Sequence, residues 1–271
     1  MTAVTTPPIT EQLGYIKAVD GSPLYAAWQP ALMVNDRALP VVIAPPLFEE
    51  RKSSYAALRK LAMRLAENGH HVLRFDYRGS GESGGDSVKR RLQSMAEDVA
   101  TARKTLARLS GRKDSALLGL RMGATVVLQE SIRAGGEAVV ALAPVIKGAA
   151  QVRFWRMRSK IRSELTAPSA EKETVSNTGV IDFDGYEVSQ DFFDDIAAID
   201  LVRDLGRLSC PGLHVQVSHR TDAAPETTAL QTTLGSRAKL AVIRLDPFWD
   251  KLDDVDTLPL EEAVLTFFRE L

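Results

Sequence analysis

The order of apolar segments predicts an α/β fold: a mostly parallel, doubly wound sheet with an inserted, mainly helical cap. Short β-branched runs alternate with segments of helical periodicity in the first half of the chain. This alternation is typical of parallel strands joined by right-handed helical crossovers. It stops at residue 148 and resumes at residue 208. We therefore expect residues 12–147 and 208–271 to form the core and residues 148–207 to form a cap.

Each core element has its own signal. Tyr15–Trp28 alternates and is broken by Asp20-Gly21, which predicts a hairpin. Fully apolar runs predict strands buried on both faces, since such strands lack polar alternation; they begin at Pro40, Val72, Ala116, Ala138, Gly212 and Leu240. Helical spacing or capping residues predict the helices between them; these begin at Ser53 or Ser54, near Val88, at Met122, after Pro225 and near Pro259.

The cap region, residues 148–207, contains no clear buried strand. Phe154, Met157, Ile161 and Leu165 recur at helical spacing and predict one apolar helix face. Basic residues surround this face: Arg153, Arg156, Arg158, Lys160 and Arg162. The helix either packs its apolar face on the core and leaves a solvated basic face, or it forms a basic lid over an anionic ligand or contacts a membrane surface.

Composition excludes several classes of protein. The 271 residues are 45% hydrophobic and 25% charged, with a formal net charge of −1, so bulk charge indicates neither a nucleic-acid nor a membrane partner. The single cysteine, Cys210, excludes an intramolecular disulfide and a cysteine-rich metal site. The chain begins with no secretory signal pattern and has no apolar run long enough for a membrane span. We therefore expect a cytoplasmic protein with no integral membrane segment, and its oligomeric state stays open.

Residues Gly119–Gly123 have the Gly-x-X-x-Gly outline of a nucleophile elbow, a strained turn that holds its central residue above the sheet. The central residue is Arg121, whose guanidinium cannot attack a carbonyl. Together with the N–H group of Met122 at a helix N-terminus, Arg121 can form an anion site. The alternative is that an acidic residue neutralises Arg121 inside the protein; the candidates are Glu49, Glu50, Asp222 and Asp250.

The other two positions of a Ser-His-Asp unit are incompletely filled. Asp222 follows the strand that begins at Gly212, where the acid of such a unit normally lies. The position after the last strand, where the histidine normally lies, holds Phe248, Trp249 and Asp250. Each member of this unit activates the next, so we predict that the Ser-His-Asp mechanism is lost. The candidate catalytic positions are Arg121, Asp222 and Asp250.

The segment Pro45–Lys52 occupies the position of an oxyanion hole, which requires backbone N–H donors. Proline has no N–H, so Leu47 or Phe48 is the candidate donor. Glu49 and Glu50 belong either to the site or to local ion pairs. The predicted ligand-binding residues are Arg121, Met122, Leu47, Phe48, Glu49, Glu50, Tyr186 and Trp249.

No metal-binding or nucleotide-binding motif is present. The sequence lacks His-Glu-x-x-His and Gly-x-x-x-x-Gly-Lys-[Ser/Thr], and the glycine-rich stretch 79–85 does not match a dinucleotide pattern. We therefore expect no metal site and no cofactor.

The segment Asp76–Ser83 reads Asp-Tyr-Arg-Gly-Ser-Gly-Glu-Ser. It resembles the Asp-x-Arg-Gly-x-Gly-x-Ser segment after the fourth strand of many α/β-hydrolases, notably the serine aminopeptidase-like branch, where its role is structural. The order of loops over residues 12–271 resembles the same superfamily. Pro45-Pro46-x-x-Glu49-Glu50 and the Gly119–Gly123 elbow also resemble exosortase A-associated hydrolases of the second type, from bacterial exopolysaccharide gene clusters.

Three functions remain open. The leading one is an α/β-hydrolase-fold protein without the Ser-His-Asp mechanism that binds a small anionic or carbohydrate-linked ligand between core and cap. The second is an unconventional ester or amide hydrolase, in which a carboxylate activates water and Arg121 stabilises the oxyanion. The third, which the resemblance implies, is a structural partner in an exopolysaccharide-related assembly.

Overall fold

The computed structural model describes residues 11–33, 35–166, 179–251 and 255–271. No helix in these ranges is both long and apolar enough to cross a bilayer. The strands are β1 (Gln12–Lys17), β2 (Pro23–Gln29), β3 (Val41–Ala44), β4 (Val72–Phe75), β5 (Ala116–Leu120), β6 (Ala138–Leu142), β7 (Val180–Phe183), β8 (Tyr186–Ser189), β9 (Gly212–Ser218) and β10 (Ala238–Arg244). The α-helices are α1 (Phe48–Glu67), α2 (Leu92–Ser110), α3 (Met122–Ala134), α4 (Gly148–Thr166), α5 (Gln190–Ala197), α6 (Leu201–Asp204), α7 (Pro225–Leu234) and α8 (Leu258–Arg269).

The central sheet has the strand order β1-β2-β4-β3-β5-β6-β9-β10. Strand β2 runs antiparallel to β1 and β4, and the remaining neighbours are parallel. Every strand predicted for the core is present, so the predicted α/β class and mostly parallel sheet are confirmed. The carboxyl ends of β3, β5, β6 and β9 lie side by side, and this edge carries the loops that were predicted to form the site.

The middle of the sheet is buried on both faces. All residues of β3, β5 and β6 are buried, and alternate side chains enter different apolar clusters. Val42 and Leu117 join the cluster that contains side chains of α2 and α3, whereas Ile43 and Leu118 join the cluster that contains those of α1 and α8. This double burial explains why these strands read as uninterrupted apolar runs rather than as alternating ones.

Helix α1 begins earlier than predicted. The sequence favoured a start at Ser53 or Ser54, but the helix starts at Phe48, and the Ser54 hydroxyl donates to the Glu50 carbonyl one turn back. Glu49 and Glu50 therefore lie in the first helical turn and not in a loop. Acidic side chains are favourable there because the helix N-terminus carries partial positive charge.

The cap between β6 and β9 contains strands that the sequence analysis missed. In its described part, β7 and β8 form an antiparallel hairpin, with Ile181 and Val188 buried. The turn Asp184-Gly185 has positive φ at both residues, 53° and 83°. An Asp-Gly turn of this kind is a strong hairpin signal, and it was present in the sequence. Residues 167–178 of the predicted cap lie outside the described ranges.

The buried face of α4 is also different from the predicted one. Val152, Trp155 and Ser159 face the interior. Phe154, Met157 and Ile161 are 38%, 56% and 49% exposed, so the predicted packing of this apolar face on the core is wrong. The side chain of Leu165, the fourth member of the predicted face, lies outside the described residues.

Candidate ligand site beside the elbow

The elbow between β5 and α3 keeps the backbone geometry of a nucleophile turn. Arg121 has φ 54° and ψ −120°, a conformation that L-residues rarely adopt and that surrounding packing must enforce. The packing is tight: a Cβ atom on Gly123 would lie 2.3 Å from the Ala44 carbonyl oxygen, and one on Gly119 would lie 2.4 Å from the Gly123 carbonyl carbon. Both glycines are therefore required for the close approach of β3, β5 and α3.

The Arg121 side chain is held in the interior by four different groups. Its Nη1 donates to the Ala143 carbonyl at 3.0 Å, and its Nη2 donates to the Gln151 side-chain oxygen at 2.7 Å. Nη2 also lies 3.5 Å from a Glu50 carboxylate oxygen, and the guanidinium lies 5.1 Å from the centre of the Trp249 ring. Its Nε is buried without a hydrogen-bond partner. Internal pairing is thus substantial but incomplete.

Glu50 is the carboxylate that pairs with Arg121. It is 3% exposed, and its Oε1 accepts long hydrogen bonds from Gln151 and Trp155, at 3.4 and 3.5 Å. The second oxygen, Oε2, has no partner. Burial raises the pKa of the Glu50 carboxyl above its ordinary value, and the Arg121 charge offsets part of that rise.

The other acidic candidates for this pairing are bound elsewhere. Asp222 is largely exposed and accepts from Arg220 at 2.8 Å, so the predicted acid position does not reach the elbow. Asp250 accepts from Arg158 of the cap at 2.5 Å. Of the four acidic candidates for pairing with Arg121, Asp222 and Asp250 are therefore not its partners.

The predicted oxyanion segment is packed into the interface between core and cap. Leu47 and Phe48 are buried, and the Phe48 ring contacts four aromatic rings at centroid distances between 5.1 and 6.5 Å; these belong to Trp155, Phe183, Tyr186 and Phe192. Glu49 accepts from the Tyr186 hydroxyl at 2.9 Å and from Lys52 at 3.0 Å. Glu49 and Tyr186 thus tie the cap to α1.

An open cleft of about 370 Å³ lies beside Arg121. Its walls come from the β6–α4 connection, the first turns of α4, β9, α7 and Trp249. Of the eight predicted ligand-binding residues, Arg121 and Trp249 line this cleft. Six do not: Met122, Leu47, Phe48, Glu49, Glu50 and Tyr186.

The cleft wall combines apolar and polar surface in similar amounts, with few charged groups. Ala143, Val145, Ile146, Phe154 and Val217 supply much of the apolar surface. The charged residues that line it in the described structure are Arg121, Lys147 and Glu226. An apolar cavity with a few converging polar groups is the usual form of a small-molecule site.

The histidines do not complete a catalytic unit in this cleft. His214 lines it from β9, but burial lowers its pKa to about 4, so the ring is neutral near pH 7. His219 is strongly exposed and lies 3.2 Å from Asp246, outside the cleft wall. No serine or cysteine is among the described residues that line the cleft. A Ser-His pair is therefore missing from this wall.

Two site residues escaped the sequence analysis. Gln151 and Trp155 reach Arg121 or Glu50 from α4, and neither was predicted to do so. They are four residues apart and share a helix face with Val152, so helical periodicity could have placed them together. The sequence analysis assigned the apolar face of α4 to Phe154, Met157 and Ile161 and therefore did not consider this second face.

The turn after β4 has the structural role that its sequence predicted. Arg78 donates from Nε to Asp98 at 2.8 Å, and the Ser83 hydroxyl donates to the Asp76 carbonyl at 2.7 Å. The Asp76 carboxylate accepts from Arg51 at 3.2 Å. These bonds tie the turn to α1 and α2 and do not reach the cleft beside Arg121.

The strand order, the strained elbow and the cap define an α/β-hydrolase fold. The serine aminopeptidase S33 family matches residues 48–203, which is more than half of the chain. The chain belongs to this family. A search of curated proteins found no match to the sequence.

Solved structures support the same fold. The Pyrococcus furiosus esterase Pf2001 superposes with a TM-score of 0.66 at 16% identity, covering 100% of this chain and 96% of that one. Est1E of Butyrivibrio proteoclasticus, solved with ferulic acid bound, gives 0.65 at 19% identity, covering 95% and 98%. A serine hydrolase homologue from Coxiella burnetii gives 0.61 at 14% identity, with both chains fully covered. At such identities the likeness establishes the fold alone.

Proposed function

We propose that this S33-family protein does not use a Ser-His-Asp mechanism and that it binds a small anionic or carbohydrate-linked ligand in the cleft between core and cap. The observation that carries the proposal is Arg121 at the strained elbow, covered by Trp249 and only loosely paired with Glu50. A guanidinium is permanently charged and cannot act as a nucleophile at this turn.

The incomplete pairing of Arg121 supports an anion as the ligand. The Arg121–Glu50 contact is 3.5 Å long, and both side chains keep one buried nitrogen or oxygen atom without a partner. Burial also raises the pKa of Glu50, so this carboxyl takes up a proton more readily than an exposed one. When Glu50 is protonated, Arg121 requires another negative partner, and a ligand carboxylate or phosphate in the cleft can supply it.

The remaining walls suit the rest of such a ligand. Apolar side chains of the β6–α4 connection and of β9 provide contact surface for the uncharged part of the ligand. The carbohydrate part of the proposal rests on the resemblance of the Pro45–Glu50 and Gly119–Gly123 segments to exosortase A-associated hydrolases. A role linked to exopolysaccharide formation is proposed on that resemblance alone.

The experiment combines a covalent probe with a binding screen. Intact mass after incubation with a fluorophosphonate should show no adduct on the wild-type protein. In thermal shift measurements with phosphate, simple carboxylates and sugar phosphates, we expect a saturable rise in melting temperature with at least one anion. The rise should be lost in Arg121→Gln and retained in Arg108→Gln, a matched change on the exposed side of α2. A serine adduct, or a rise independent of Arg121, would contradict the proposal.

A hydrolase that uses Glu50 is the second candidate. The observation in its favour is a buried carboxyl of raised pKa beside a cation, an arrangement found in many general acids and bases. Glu50 does not itself line the cleft, which makes direct activation of a water molecule there less favourable. Ester turnover with a pH–rate profile that shifts in Glu50→Gln would favour this function over ligand binding alone.

A further inference from the structure

The outward face of α4 carries an apolar strip. Phe154, Met157 and Ile161 are spaced by three and four residues and therefore lie along one side of the helix. All three are exposed, whereas the opposite side of α4 packs inward through Val152 and Trp155. The strip is thus a second apolar face, and no described part of the chain covers it.

Basic residues border the strip on both sides. Arg153, Arg156 and Lys160 each precede a strip residue in sequence, and Arg158 and Arg162 each follow one. Arg158 and Arg162 form ion pairs within the protein, with Asp250 and Asp184 respectively. Glu164 is the acidic residue of this helix and lies 4.0 Å from Lys160.

Two of the border arginines keep their charge available to a partner. Among the described residues, neither Arg153 nor Arg156 forms an ion pair with a carboxylate. Arg156 donates to the neutral side chain of Gln190 at 2.9 Å and lies 5.1 Å from the centre of the Phe193 ring. The outward face of α4 therefore combines exposed apolar side chains with unneutralised positive charge, although the whole chain has a formal net charge of −1.

We propose that this face of α4 docks on an anionic membrane surface. An apolar strip with cationic borders is the form of a helix that lies in the plane of a lipid interface, where apolar side chains enter the headgroup region and cations bind lipid phosphates. A nucleic acid would use the charge but leave the strip exposed to water. Phe154 also lines the cleft beside Arg121, so the docked face is continuous with the candidate ligand site.

The test is flotation of the full-length protein with lipid vesicles. Vesicles of phosphatidylcholine alone are compared with vesicles that also contain phosphatidylglycerol, at low and at high salt. The main variant is Met157→Ser with Ile161→Ser. Its control, Leu13→Ser with Leu109→Ser, removes two exposed apolar side chains at 60% and 39% exposure from β1 and α2. A second variant, Arg153→Gln, is compared with Arg108→Gln.

We expect binding to the anionic vesicles that weakens with salt and is much weaker on neutral vesicles. The Met157/Ile161 variant should bind about tenfold more weakly, with an unchanged melting temperature, and Arg153→Gln several-fold more weakly. The two controls should bind as the wild type does. Absence of wild-type binding, equal binding by the main variant, or no preference for anionic lipid would overturn the proposal.

The alternative occupant of this face is a second copy of the chain. Light scattering after size-exclusion chromatography compares the wild type with the Met157/Ile161 variant. A wild-type dimer that the variant converts to a monomer would overturn the membrane proposal. The docking proposal does not depend on ligand binding in the cleft, because vesicle binding needs no cleft ligand and leaves Arg121 unchanged.

Discussion

The turn after β4 and the elbow after β5 both place an arginine at the carboxyl edge of the sheet. The two arginines differ in how completely they are hydrogen-bonded to a buried carboxylate. At the β4 turn, Arg78 donates to Asp98 from Nε at 2.8 Å and from its backbone N–H at 3.0 Å. At the elbow, Arg121 approaches Glu50 no closer than 3.5 Å, and both leave a buried atom unpartnered. The fully bonded pair at the β4 turn serves the fold, and we propose that a ligand completes the incompletely bonded pair at the elbow.

The backbone of the elbow offers the largest test of this comparison. In Gly123→Ala the new Cβ would meet the carbonyl oxygens of Ala44 and Pro45 at 2.3 and 2.5 Å, and backbone atoms cannot move aside cheaply. We expect a loss of about 4 kcal/mol in the free energy of unfolding, or no folded protein. Gly206→Ala is the control, because a Cβ there has no neighbour within 4 Å, and its effect should stay within about 0.5 kcal/mol.

Urea unfolding measures both glycine variants. If Gly123→Ala were as stable as Gly206→Ala, the elbow would not be held by close packing. The strained geometry of Arg121 would then lose its explanation.

The β4 turn provides the second test, of intermediate size. Asp98 is fully buried and Glu97 is partly exposed, yet both accept from Arg78. Asp98→Asn leaves the buried Arg78 guanidinium without its closest charge partner, so we expect a loss of about 2 kcal/mol in unfolding free energy. Glu97→Gln removes a more exposed contact and should cost no more than about 0.5 kcal/mol.

Chemical unfolding of the two single variants at neutral pH decides this prediction. Equal losses would mean that Asp98 and Glu97 share the charge of Arg78. The Arg78–Asp98 pair would then be no stronger than the Arg121–Glu50 pair, and the proposed difference between the two turns would be wrong.

The fold could be predicted from the sequence because each of its elements has a local sequence signal and these signals recur along the chain. Each buried strand has its own apolar run, and the glycines of Gly119–Gly123 mark the close approach of strand and helix. The β7–β8 hairpin was missed because its strands are only four residues long and lie in a polar segment. Its Asp184-Gly185 turn was the remaining local signal.

The site was less predictable because it depends on contacts between distant segments. Periodicity on α4 shows two faces, and sequence alone does not state which of them meets the core. The exposed strip of Phe154, Met157 and Ile161 is more apolar than the buried face that carries Gln151 and Trp155. Hydrophobicity therefore selected the wrong face, and the partners of Arg121 and Glu50 on α4 were missed.

The Arg121–Glu50 pair gives the smallest and most specific test. Arg121→Gln removes the positive charge that offsets the burial of Glu50, so the pKa of this carboxyl should rise further. A carboxyl whose pKa is higher in the folded than in the unfolded state binds more protons when folded. The ordinary pKa of a glutamate carboxyl is 4.5, and the pKa of Glu50 is higher in the folded protein. The contribution of Glu50 to stability therefore falls as the pH rises from 4.5 through this raised pKa.

We therefore expect Arg121→Gln to be close to wild-type stability near pH 4.5 and less stable by about 1 kcal/mol near pH 8. Glu50→Gln should remove this pH dependence, because the amide does not titrate. The double variant should then be more stable near pH 8 than the sum of the single effects predicts, by about 1 kcal/mol. Additive losses that do not change with pH would show that Arg121 and Glu50 are not coupled. Arg121 would then have no acidic partner inside the protein, and the proposed ligand would supply its counter-charge.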